Sequence, residues 1–549
     1  MSSDQSRSTI RVPINMRLTR RNVVASLAAA SALAATSLPV PVRASQATPA
    51  SQAAVAGSEI TEERLADALA ALPELARTML GSSGVPGLAA GVVHQDEVVF
   101  LEGYGVREAG LDGAVDADTV FQIASLSKPI ASTVVASLVG QGHLTWDAKL
   151  ADLYPEFALS DPLVTATATV ADLFSHRSGL PDHAGDTLED LGGDRETVLH
   201  ALRYLELPGA FRASYAYTNF GLTAGAVAAA MAAGGEWEDL SVTQLYQPLG
   251  MTRTSSRYAD FASTENRAVG HVIQGDEWVH AFDRQPDAQS PAGGVSSSVR
   301  DICQWLRLQL GQGTIDGTEL IPAVALAETH LPYSIRDIPD DPTTERAEFY
   351  GLGWNVTYGA GDAVQLSHSG AFAYGAATTA YLLPSSQLGI VVLTNGAPVG
   401  LPEALALSFL DLCRYGSVQR DYLTLIGQSL AVELAPTYGH DVATPPDRVD
   451  PPKAPQTYLG TYDNAFFGEL EVVEDGEHLA MVLGPQAMQF PLAHYSRDVF
   501  TYEPVGENAG PPSSVTFTVG ADQAATAVTI ENLDEYGSGT FTRPPGLED

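Results

Sequence analysis

The apolar positions of the chain follow a helical period, then a strand period, then a helical one again before strands return. Thr61 to Leu80 has helical spacing, with Glu62 and Glu63 where the dipole of a helix start favours acid. Pro73 interrupts it, which predicts a kink or two helices. Gly87–Val93 and Val98–Val106 read as paired strands around a turn at His94–Glu97. Phe121–Val139, FQIASLSKPIASTVVASLV, reads as a helix with a short apolar run ended at Gly140–Gly142. From Ala151 to about Ser290 the pattern is mostly helical, and Asn219–Ala232 is an alanine-rich helix. Pro291–Gly311 is a Gly/Ser turn feeding an amphipathic helix, with Ser298 or Ser297 as its N-cap. Gly351–Tyr358, Ala376–Leu383 and Leu388–Thr394 read as strands, and Leu401 to about Ala435 returns to helix. The run LGIVVLT is almost wholly apolar, as a strand covered on both faces should be. Strands at both ends of this segment predict one sheet with a helical subdomain inserted between its halves.

The pattern changes at His440–Gln456, which holds Pro445, Pro446, Pro451, Pro452 and Pro455 and reads as a stiff linker. Beyond it come seven short strand patterns: Tyr458–Tyr462, Glu469–Val473, His478–Val482, Val499–Glu503, Val515–Val519, Thr526–Asn532 and Gly539–Thr542. Asp475-Gly476 is a hairpin turn signal, and the spacing predicts a small antiparallel barrel or sandwich. At the other end, Thr19-Arg20-Arg21-Asn22-Val23-Val24 resembles a twin-arginine export motif. A short apolar region and a small-residue site at Val42-Arg43-Ala44 follow it, too short for a membrane span. The expected plan is a leader over 1–44, a linker over 45–57 and a first domain over 58–438. A Pro-rich linker over 439–456 and a barrel over 457–545 complete it.

Composition narrows the partners. The 549 residues carry 66 Asp+Glu and only 29 Lys+Arg, a formal net charge of −37. With no basic stripe, nucleic acid and anionic membrane surfaces are excluded as expected partners. Cys303 and Cys413 lie in apolar periodic stretches and read as buried free thiols, with a disulfide as the alternative. No Cys/His cluster has metal-ligand spacing, so no metal site is expected.

Lysine occurs three times, as Lys128, Lys149 and Lys453. A chain that uses arginine elsewhere keeps lysine three residues after Ser125. On a helix those two share a face, one turn apart. A buried lysine surrenders its proton and arginine does not, so this pair fits a serine nucleophile with a lysine base. Ser-x-x-Lys alone is weak, as are Tyr217-Thr218-Asn219 and His368-Ser369-Gly370-Ala371, which by themselves are a core tyrosine beside a cap and an ordinary turn. His176, in LFSHRSGLP, reads as a turn histidine satisfied by backbone.

Taken together and in this order, the three motifs resemble those of the class C β-lactamase and penicillin-binding-protein-like serine hydrolases. The phrases LFSHRSGLP, PLGMTRTS, PAGGVSSSVRDICQWL and LGIVVLTNG extend the resemblance over about 60–435. YLGTYDN and HYSRDVF are similar to the lipocalin-like barrel appended to many of these hydrolases. The resemblance implies an α+β fold: an antiparallel sheet flanked by helices, with a helical subdomain, followed by an antiparallel β-barrel. It implies that Ser125 is acylated, that Lys128 takes its proton and that Tyr217 shuttles protons. Asn219, His368, Ser369 and Gly370 would bind substrate, and the backbone N–H groups of Ser125 and Ala371 would form an oxyanion hole. No cofactor is implied. His368 stands where the antibiotic-resistance enzymes usually carry lysine. A mostly neutral imidazole there is similar to the esterase and D-aminopeptidase branch. The expected activity is an exported hydrolase of small esters or D-amino-acid-type amides and peptides. The alternatives are a β-lactamase or D,D-carboxypeptidase, and a binding protein on the same fold with weak catalysis. The expected partner is a small molecule or short peptide, without membrane insertion after leader cleavage.

Intact-mass measurement on secreted protein should show residues 1 to about 44 missing, and replacing Arg20 and Arg21 together by lysine should stop export. A full-length cytoplasmic product would refute the leader.

Overall fold

The computed structural model describes residues 60–339, 341, 346–359, 363–446 and 448–544. The expected leader and the linker after it lie outside the described residues.

An eight-stranded antiparallel sheet organises the first domain. Its strands in chain order are β1 (Gly87–His94), β2 (Glu97–Gly105), β3 (Ser334–Asp337) and β4 (Glu348–Tyr350). They continue with β5 (Asn355–Tyr358), β6 (Val364–Phe372), β7 (Ala376–Leu383) and β8 (Leu388–Thr394). Across the sheet the order is β2-β1-β8-β7-β6-β5-β4-β3. The early hairpin is therefore docked on the last strand, with Leu88 opposite Thr394 and His94 opposite Leu388. All seven residues of β8 are buried. Strand alternation explains why: Ile390 and Val392 face one core, Val391 and Leu393 the other.

On one face lie α1 (Glu62–Ser83) and a helix at Leu401–Tyr415, sharing a core with Leu88, Ala90 and Val92. Helix α1 runs unbroken through Pro73, and Thr61 caps it by accepting the Arg64 N–H. On the other face lie α2 (Ser127–Gly140), α3 (Asn219–Ala233) and α4 (Val299–Leu310). Ser298 caps α4 by accepting the Asp301 N–H. The helical subdomain between β2 and β3 thus covers the face on which Ser125 stands. Cys303 and Cys413 are buried free thiols.

The expected single strand over Gly351–Tyr358 is instead the second half of a hairpin. Gly351 donates to the Trp354 carbonyl, and Gly353 takes φ +84°, a left-handed turn that glycine adopts without strain.

The C-terminal domain is a closed barrel of eight antiparallel strands, each paired with its chain neighbour, between Gly460 and Thr542. Pairing of Asp463 with Thr542 closes it. Tyr458, Tyr462, Phe500, Phe517 and Phe541 fill its interior, so side chains occupy the lumen. The pattern reading missed one strand, Met488–Ser496. Within it Pro491 pairs with Ala480 on one side only, where a missing N–H is tolerated.

One contact fixes the site. Beyond Ser367, β6 has no strand partner on its β5 side among the described residues, and that edge lies on the turn carrying Ser125. A Cβ on Gly370 would overlap the Ile123 carbonyl oxygen and stand 2.8 Å from Leu126 N. Both are backbone atoms and cannot swing aside. Gly370→Ala should therefore cost roughly 1–3 kcal/mol by overpacking and shift β6 away from Ser125. Calorimetry and serine labelling would check this; unchanged melting and labelling would show the contact to be soft.

Candidate active site

Ser125 lies in a single 3₁₀ turn, Ala124–Leu126, immediately before α2. Ala124 holds φ +48°, a left-handed conformation unusual for a residue with a Cβ. The surroundings clamp that turn. Ser127 Oγ donates to the Ala124 carbonyl at 2.6 Å and accepts the Val295 N–H at 3.0 Å, and Thr378 Oγ1 donates to the Ile123 carbonyl at 2.8 Å.

Lys128 follows one turn later, fully buried. Its Nζ donates to Ser125 Oγ at 3.0 Å, Asn219 Oδ1 at 2.7 Å and the Ala292 carbonyl at 3.0 Å. It also stands 4.4 Å from the centre of the Tyr217 ring. Burial disfavours its charge and brings the ammonium down from 10.5 to about 7, with the Asp186 carboxylate pulling the other way. Tyr217 hydrogen-bonds Ser125, and burial pushes its phenol well above the usual value, so it is neutral. Ser125 thus touches a group able to take a proton and a phenol able to pass one on.

The first turn of α3 supplies Asn219. Its Oδ1 accepts from Lys128, while Nδ2 donates to Asp186 Oδ2 at 2.9 Å. Asp186 Oδ2 also meets His183 Nδ1 at 2.7 Å. A chain of contacts therefore runs His183–Asp186–Asn219–Lys128–Ser125. The motif reading did not find His183 or Asp186. They sit in LPDHAGD, just beyond LFSHRSGLP, and no spacing in the sequence ties them to Lys128.

The third motif lies on β6 and obeys strand alternation. His368 and Gly370 face the Ser125 side. His368 is 2% exposed, and both ring nitrogens are spent inside the protein. Nδ1 donates to the Ser369 carbonyl at 2.7 Å, which leaves Nε2 to accept the Tyr350 hydroxyl at 2.9 Å. Burial, reinforced by Lys128, takes its pKa from 6.5 down to about 3, so the imidazole is neutral. The side chain of Ser369 turns away from Ser125. It points to the opposite face of the sheet, bonded to Thr379 Oγ1 at 2.9 Å and to the buried Glu403. Ala371 lies one residue before the end of β6, paired with Ala377 on β7. His176 lies under the Tyr217 ring at 4.6 Å, and its Nδ1 accepts the Thr218 N–H.

The Beta-lactamase family model matches residues 65–409, which includes all of these positions. The chain belongs to the Beta-lactamase family. A second model, a domain of unknown function, DUF3471, matches residues 444–540, the barrel of this family member. Among relatives, the unguisins hydrolase ungD of Aspergillus violaceofuscus is 25% identical over 76% of this chain and 80% of its own length. Penicillin-binding protein 4 of Amycolatopsis lactamdurans is 28% identical over 57% of this chain and 81% of its own. Among solved structures, the octameric penicillin-binding protein homologue from Pyrococcus abyssi superposes with TM-score 0.56 at 18% identity. It covers 86% of this chain and 99% of that one. A class C beta lactamase from Rhodobacter sphaeroides gives TM-score 0.50 at 22% identity over 62% and 98%. These likenesses show the β-lactamase and penicillin-binding-protein-like fold; the closed barrel that follows is consistent with a lipocalin-type fold.

The buried lysine makes a signed prediction. Only neutral Lys128 accepts a proton, so the rate of Ser125 modification by a fluorophosphonate should rise with pH, with a midpoint about 7. The Asp186 carboxylate favours the ammonium. Removing it in Asp186→Asn should therefore move the rise to lower pH. A shift to higher pH, or none, would break the proposed link through Asn219.

Proposed function

We propose that the chain is an exported serine hydrolase that forms an acyl-enzyme at Ser125 on small esters or D-amino-acid-type amides. The observation carrying this reading is the fully buried Lys128, held at 3.0 Å from Ser125 Oγ with its pKa lowered to about 7. An amine in that state takes the serine proton as the oxygen attacks. Tyr217, bonded to Ser125, hands a proton to the leaving group and later helps draw one from the deacylating water. The N–H groups of Ser125 and Ala371 stabilise the oxyanion, where donors set in place beforehand count most. Asn219 holds Lys128 in line, its amide engaged at both ends.

Substrate preference follows from charge. The third motif offers a neutral, inward-turned His368 where a carboxylate-reading cation would stand. Substrates without a carboxylate beside the scissile bond suit such a site. The relative named as a hydrolase of unguisins agrees with an acyl-transfer role outside antibiotic resistance. The likeness to a penicillin-binding protein favours β-lactams or peptidoglycan stems as the second reading. A binder without turnover has no need of the assembled Ser125–Lys128–Tyr217 contact.

Two experiments test this. Ser125→Ala should abolish fluorophosphonate attachment, and Lys128→Arg should lose at least ~100-fold in kcat, since arginine keeps the charge but not the basicity. An adduct mapped to Ser297 or Ser369 would reassign the nucleophile. In side-by-side kinetics, p-nitrophenyl butyrate should be hydrolysed readily and a chromogenic cephalosporin poorly. Efficient cephalosporin turnover would transfer the protein to the second reading.

A further inference from the structure

A barrel loop, residues 503–510, reaches into the hydrolase domain beside β6. Asp190, at the end of the short helix Asp186–Asp190, receives three of its donors. They are Glu507 N at 2.8 Å, Asn508 N at 3.0 Å and Asn508 Nδ2 at 2.8 Å. The loop is thereby fixed through its backbone, and the Glu507 side chain is free to point onward. Its carboxylate accepts the N–H of Ala373 and pairs with the Arg284 guanidinium at 3.4 Å. Arg284 is held in turn by Glu189 at 2.7 Å and lies 5.1 Å over the Phe372 ring.

Ala373 is the first residue after β6, two beyond Ala371. The tip it belongs to is a tight turn closed by Gly375 N–H on the Phe372 carbonyl at 2.9 Å. On the Ser125 side this end of β6 lacks a strand partner among the described residues: Gly370 packs on the Ile123–Leu126 turn, and the tip beyond it is paired with β7 alone. Glu507 and Arg284 add a restraint at that tip, one on the backbone and one on the Phe372 ring.

We infer that Glu507 of the barrel is a positioning residue for the hydrolase site, fixing the β6 tip so that the Ala371 N–H is aimed at the oxyanion. The inference rests on the acyl-enzyme reading of Ser125. It gives the barrel a role at its rim, consistent with a lumen already filled by side chains. An oxyanion donor acts through its placement, and displacements of the order of an ångström are costly.

The test compares full-length wild type with Glu507→Ala and, separately, Asp190→Ala, which frees the loop but keeps the Glu507 carboxylate. With p-nitrophenyl butyrate, Glu507→Ala should lower kcat about tenfold with KM within about twofold. The inhibition constant of an alkyl boronic acid, whose tetrahedral adduct mimics the oxyanion, should rise by the same factor. Asp190→Ala should move both quantities in the same direction. Loss of Tm with unchanged kcat and boronate affinity in both variants would overturn the inference and reduce the contact to domain adhesion. Ser125→Ala separates the two readings. Turnover surviving in it would sink the acyl-enzyme reading itself. An inactive Ser125→Ala beside a fully active Glu507→Ala would overturn this inference alone.

Discussion

The site depends on putting one amine where water cannot reach it. Lys128 has no solvent contact, and its three hydrogen-bond acceptors come from three separate parts of the chain: the Ser125 turn, the start of α3 and the Ala292 carbonyl. Desolvation lowers the amine's proton affinity toward neutrality, while the acceptors keep its lone pair and protons oriented. The two demands conflict, because good acceptors favour the charged form. Asp186 is placed one residue back, touching Asn219 rather than the amine, and so tempers desolvation without cancelling it. A carboxylate in direct contact would have held the ammonium charged.

Around this group the fold works as a clamp. The strained Ala124 is retained because Ser127, Thr378 and the edge of β6 determine the turn from several directions. Glycine at 370 lets the strand backbone lie against the turn, which brings the third motif up to the first. His368 is a structural neighbour of Tyr350, and the neutral tautomer it adopts keeps a second positive charge away from Lys128.

Much of this was legible in the sequence because the chemistry is concentrated in short motifs. Ser-x-x-Lys, Tyr-x-Asn and His-Ser-Gly each occupy one turn or strand, and the fold brings all three together. The sheet built from both halves of the first domain could also be read, since β1, β2 and β8 carry strong apolar signals. What escaped were residues whose role exists only across long separations. Asp186 and His183 gain meaning from Asn219, Tyr350 from His368, and Glu507 from Ala373 in another domain. Motif membership says nothing about strand parity, so the outward turn of the Ser369 side chain was not legible. The strand at Met488–Ser496 went unread; its proline at 491 is paired on one side only, which the ladder tolerates.

The docking of the early hairpin on β8 also constrains how the molecule assembles. As the chain emerges, β1 must wait for almost the whole hydrolase domain before its partner exists, for His94 meets Leu388. The entropic toll of such a closure grows only slowly with span, but the search is long and folding of such topologies is slow. Meanwhile a strand with seven buried residues presents an open edge. The helix that packs on β1, α4, is made before β8 emerges and can cover one face of the strand in that interval. Nascent chains stopped before Leu388 are therefore the species most prone to aggregate, and chains completed through Thr394 are the first able to close the sheet.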